Sequence, residues 1–77
     1  MVVSLLEMEP GETGVVREIA GGLGITGRVQ SMGIRVGEKI KKENAHLWRG
    51  PQTVVIGRSK IAIGYGMASK IFIEVDR

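Results

Sequence analysis

The chain has 77 residues, a formal net charge of +3, no cysteine and one histidine, His46. That length holds one domain spanning residues 1–77, and a domain so short buries only roughly 60% of the surface its unfolded chain exposes. The missing cysteines exclude disulfides and thiolate zinc sites, and a lone histidine cannot build a metal site, so the core must come from aliphatic packing or from a second copy of the chain.

Met1–Glu7 has no basic segment and too short an apolar run for a signal peptide. No stretch approaches the ~18 apolar residues of a membrane span. A cytoplasmic setting without membrane insertion is the default expectation. Leu5 and Met8 are expected to cap one end of the core. Glu9-Pro10-Gly11-Glu12 has Pro at the second and Gly at the third position, the signature of a type II turn, and Arg35-Val36-Gly37-Glu38 repeats the glycine. Thr13–Ala20 reads as the first strand, with Val15, Arg17 and Ile19 on one face and Gly14, Val16 and Glu18 on the other. Gly21-Gly22 ends it.

From Ile25 to Met32 the period changes. Ile25, Val29 and Met32 fall at i, i+4 and i+7, a helical stripe, with Thr26 as N-cap and Gly33 at the C′ position. Gly27 weakens this helix by ~1 kcal/mol relative to Ala. Glu38–Asn44 is expected to be a strand with Ile40 as its core residue and its lysines on an exposed edge. Thr53–Ile56 and Ile61–Gly64 read as a hairpin around Gly57-Arg58-Ser59-Lys60. Tyr65–Ser69 suits one helical turn. Lys70–Val75 is the last strand, with Ile71, Ile73 and Val75 inward. About five strands, with one short helix between the first and second, make an all-β chain. Closing it as a small SH3-like barrel encloses the aliphatic core.

Leu5, Pro10-Gly11-Glu12, Gly14-Val15-Val16, Gly21-Gly22 and Met32-Gly33-Ile34 occur in order along the chain. Gly37, Gly50-Pro51, Ile61-Ala62-Ile63, Ala68 and Ile71-Phe72-Ile73 follow. In order and spacing this set resembles the ferrous iron transport protein A (FeoA) family from about Leu5 to Val75. The resemblance implies an SH3-like barrel and an accessory role in ferrous iron uptake. The implied partner is a membrane Fe(II) transporter with a cytosolic GTP-binding domain. The sequence departs from the family at Val36, where proline is usual, and in the helix, where Arg28 stands alone. It departs again in the loop Ala45–Pro51, which is about one residue longer.

Charge is unevenly spread. Glu7, Glu9, Glu12 and Glu18 face only Arg17 in the first 20 residues, whereas residues 35–60 carry Arg35, Lys39, Lys41, Lys42, Arg49, Arg58 and Lys60 against Glu38 and Glu43. Such asymmetry can orient an encounter with a charged partner. Leu47, Trp48 and Arg49 lie together in a loop, and Trp and Arg dominate interface hot spots. With Lys41 they are the candidate partner-binding residues, for a protein partner or a second copy of the chain. Trp48 as a core plug is the structural alternative.

His46 with Glu43, and Glu74 with Asp76, lack the further ligands a metal site needs, so no metal or cofactor is expected. Gly21-Gly22-Leu23-Gly24 lacks the Lys-Ser/Thr of a nucleotide-binding loop. Ser4, Ser31, Ser59 and Ser69 have only His46 as a possible base, so a binding module is expected rather than an enzyme. The second reading is a basic barrel binding RNA or DNA through Lys39, Lys41, Lys42, Arg58 and Lys60. The scarcity of aromatic rings makes nucleic acid the less favoured partner. The same scarcity disfavours a polyproline groove.

Overall fold

Two turns of one design organise the chain in the computed structural model, which describes residues 1–45 and 50–77. Gly11 adopts φ +88° and Gly37 φ +96°, the positive values that the third position of a type II turn requires and that only glycine reaches without strain. Each turn is closed by a backbone bond, Glu12 N–H to the Glu9 carbonyl at 2.9 Å and Glu38 N–H to the Arg35 carbonyl at 3.1 Å. Each feeds a strand, β2 (Thr13–Ile19) and β3 (Lys39–Ala45). These strands pair antiparallel, and each turn meets the middle of the other strand. Gly11 N–H donates to the Lys42 carbonyl at 2.7 Å, and Gly37 N–H donates to the Val16 carbonyl at 2.8 Å. Glu12 reinforces the first turn. Its carboxylate accepts from Glu9 N–H at 3.0 Å and from Arg77 Nε at 2.9 Å. These two bonds, the backbone one foremost, hold its carboxyl below the usual range.

The other elements are β1 (Val2–Ser4), a 3₁₀ turn (Leu5–Glu7), α1 (Gly22–Ser31), β4 (Gln52–Ile56), β5 (Ser59–Ile63), α2 (Tyr65–Ala68) and β6 (Ile71–Val75). The strands form one antiparallel sheet in the order β1-β6-β2-β3-β4-β5. Val3 from one end strand and Ile63 from the other belong to the same core cluster, so the sheet curls around a single interior. Val29 of α1 and Ala68 of α2 close it. This is the expected all-β SH3-like barrel. The strand beyond the expected five is β1, three residues that pair with Phe72–Glu74 of β6.

Four local expectations change. A bulge between Val16 and Glu18 breaks the alternation of β2. Val16, before the bulge, and Ile19, after it, therefore both face the core, although alternation set them on opposite faces, while Val15 is exposed. A bulge adds a residue to one strand and shifts the phase of everything after it. The helix begins earlier than the stripe suggests, with Gly21 as N-cap and Thr26 inside it. Its core residues are the expected Ile25, Val29 and Met32, and Gly33 follows at φ +95°. The β4–β5 hairpin is tighter than expected, because Ile56 pairs directly with Ser59 and only Gly57 and Arg58 form the turn. Lastly, β3 lies between β2 and β4 and is not an edge.

Gly27 gives the helix a measurable weakness. Nothing lies within 4 Å of the position its Cβ would occupy, so Gly27→Ala adds helix propensity without a clash. The variant should be more stable by about 0.5–1 kcal/mol, measured as the midpoint of urea unfolding.

Candidate functional site

The register of the strands fixes what the outer face of the sheet presents. Inward-pointing Ile40 sits opposite Gly14, which sits opposite inward-pointing Val75. The neighbouring rows therefore point outward, because successive residues of a strand face opposite sides. One outer row runs Val2, Glu74, Val15, Lys39 across β1, β6, β2 and β3. The next runs Thr13, Lys41, Val55, Lys60 across β2, β3, β4 and β5. A groove of about 420 Å³ lies over the second row, lined by Thr13, Glu38, Lys39, Lys41, Val55 and Gly57 among others.

The outer face is electrically divided. At the β6 end, Glu74 accepts from the Met1 ammonium at 2.6 Å and lies 3.6 Å from Arg17 Nε. The ammonium, chiefly, holds its carboxyl below the usual range. At the β5 end, Lys60 pairs with Glu43 at 2.8 Å. Between them Lys39 and Lys41 are exposed and make no ion pair among the described residues. The two lysines stand beside Val15, 37% exposed, and the half-buried Val55. Two unneutralised cations beside apolar methyl groups form a surface suited to an anionic, partly apolar partner.

Lys42 corrects the expectation of a lysine-lined surface. It points inward with Ile40 and is 0% exposed. Its Nζ donates to the Leu5 carbonyl at 2.8 Å and reaches the Leu6 carbonyl at 3.5 Å. Burial pushes its ammonium below the ordinary lysine value. Lys42 thus ties the 3₁₀ turn to the middle of the sheet and cannot meet a nucleic acid. Strict alternation from Ile40 was the signal that places it inside.

Of the candidate contact residues, the structure brings Lys41 into the groove. Leu47, Trp48 and Arg49, like His46, lie outside the described residues. In sequence they fall between β3 and β4. At the start of β4 Gln52 is buried, with Nε2 donating to the Gly50 carbonyl at 3.1 Å. Val55 was missed as a site residue, and Lys39 was named only for the nucleic-acid reading, because only pairing across three strands sets them beside Lys41. Glu43, a possible partner of His46 for a metal, is held by Lys60. Ser31 and Ser69 each donate at 2.7 Å to a carbonyl three residues earlier in their own helical turns. Among the described residues no group of three His, Asp or Glu side chains is placed to hold a metal ion. No described helix is long and apolar enough to cross a membrane.

Comparison with known proteins adds a family to this geometry. The FeoA domain family matches residues 3–75. A Methanocaldococcus jannaschii protein named "Putative Fe(2+) transport protein A" is 41% identical over 64 residues, 83% of this chain and 76% of that protein. The crystal structure of an "Iron Uptake Regulatory Protein (FeoA)" is similar with TM-score 0.88 and 37% identity, covering 95% of this chain and 96% of that one. A manganese-dependent transcriptional repressor reaches TM-score 0.89 at 20% identity, over 96% of this chain and 41% of its own. At that identity the repressor shares the fold alone.

Proposed function

The chain belongs to the FeoA domain family, and on that premise we propose that it is a cytosolic accessory protein of ferrous iron uptake. It acts by docking on the cytosolic, GTP-binding part of a membrane Fe(II) transporter. The observation that carries this reading is the family match over residues 3–75, together with 41% identity to a protein named for Fe(2+) transport. The outer face supports the docking half of it, since Lys39 and Lys41 make no ion pair among the described residues and stand beside Val15 and Val55. The β3–β4 connection, with Leu47, Trp48 and Arg49, supplies the second part of the contact.

Co-purification of the chain with the transporter's cytosolic domain, with and without guanine nucleotide, tests the reading. A complex in either state supports it; none in both removes it. Trp48→Ala should weaken the complex by about 2 kcal/mol, roughly 30-fold in Kd, with an unchanged thermal melt. A Trp48→Ala chain that unfolds would instead assign Trp48 to the core.

A further inference from the structure

We infer that the groove over β2, β3 and β4 receives an extended acidic segment of the protein partner, with two carboxylates at alternate positions and small branched apolar side chains flanking them on the same face. The inference rests on the docking role proposed above and names the chemistry of what docks. Lys39 and Lys41 project from one face of one strand, two residues apart. Their stems leave the backbone about 6.6 Å from each other, two residues at ~3.3 Å each. An extended partner segment with acidic residues at alternate positions repeats that spacing, so both ammonium groups meet carboxylates at once. The residues between those carboxylates face away, and the next residues on the same face, two positions beyond each carboxylate, fall beside Val15, opposite Lys39, and Val55, opposite Lys41.

The same face argues against a nucleic acid in this place. The groove lining contains no aromatic ring for a base to stack on, and stacking supplies much of single-strand binding. Glu38 shares the lining, and Glu74 occupies the row of Lys39. A long polyanion that continued past the two lysines would meet these carboxylates. A short acidic segment ends before reaching them. Lys60 is already paired with Glu43, so of the lysines on these two outer rows only Lys39 and Lys41, two residues apart on β3, have no ion pair among the described residues.

The test compares Lys39→Glu/Lys41→Glu with a charge-matched control, Arg28→Glu/Lys70→Glu, whose residues are exposed on α1 and after α2. Backbone amide shifts are followed by NMR during titration with the peptide Val-Ser-Glu-Ser-Glu-Ser-Val, and with oligouridylate. The peptide should shift Thr13, Val15, Lys39, Lys41 and Val55, and bind roughly tenfold or more weakly to the Lys39/Lys41 variant but equally to the control. Raised salt should weaken it. Peptide shifts elsewhere, or equal binding to both variants, overturn the inference. Tighter binding of oligouridylate through the same lysines overturns it in favour of nucleic acid. In parallel, the transporter's cytosolic domain is titrated with all three chains. Equal binding of that domain to wild type and Lys39/Lys41 variant sinks this inference and leaves the docking role standing. Peptide capture by the lysines without any binding of the domain does the reverse.

Discussion

Gly14→Ala should destabilise the fold by about 1–3 kcal/mol and lower the melting temperature by roughly 5–20 °C. A Cβ at Gly14 would lie 2.5 Å from the Glu74 carbonyl oxygen, 2.5 Å from Ile73 Cγ2 and 3.1 Å from Val75 Cγ1. The side-chain contacts could relax by rotation. The carbonyl cannot, because it belongs to the backbone of β6, the strand paired with β2. Relief therefore requires β2 and β6 to separate where Gly14 opposes Val75 on one side and Ile40 on the other. Both partners are core residues, so the separation also loosens packing. Gly24→Ala is the control. It lies in α1 with nothing within 4 Å of its Cβ position, and should be neutral or slightly stabilising. Thermal melts followed by circular dichroism separate the two. An unchanged melting temperature for Gly14→Ala would mean that the β2–β6 seam has slack.

The contrast between Gly14 and Gly24 marks how far the sequence speaks. Both are glycines beside aliphatic residues, and nothing local distinguishes them. What makes Gly14 irreplaceable is a carbonyl sixty residues away in sequence. Where the physics is local, much of the fold was legible. The two type II turns follow from glycine at the third position, and the inward set Ile71, Ile73 and Val75 follows from strict alternation. The helical stripe named the right core residues even though the start of the helix was misplaced. Non-local facts escaped. The bulge at Arg17 depends on how β2 pairs with β6. The central position of β3 depends on sheet order, which made its lysines look like edge protection. For the site, Lys41 was legible as a basic residue on a strand. Its company, Lys39 and Val55, emerged only from the register across three strands.

Lys42 is where composition misled most, and its substitution should have the largest effect of all. Lys42→Glu would bury a carboxylate against the Leu5 and Leu6 carbonyls, acceptor against acceptor, in place of the donor present now. An uncompensated buried charge costs roughly 3–5 kcal/mol, a large share of what a chain of this size holds. Lys42→Met keeps most of the stem volume and should cost about 1–2 kcal/mol at neutral pH. The Leu5 carbonyl still accepts from Met8 N–H at 3.3 Å in that variant, which limits the loss. The pH dependence separates charge from packing. Burial lowers the Lys42 pKa below 10.5 in the folded chain, so between that lowered value and 10.5 the unfolded state holds the extra proton. Stability then rises with pH across that window. Urea unfolding from neutral pH to the ordinary lysine value should therefore show wild type gaining on Lys42→Met as pH climbs. A gap that stays flat or narrows would mean that the two carbonyls solvate the ammonium as well as water does.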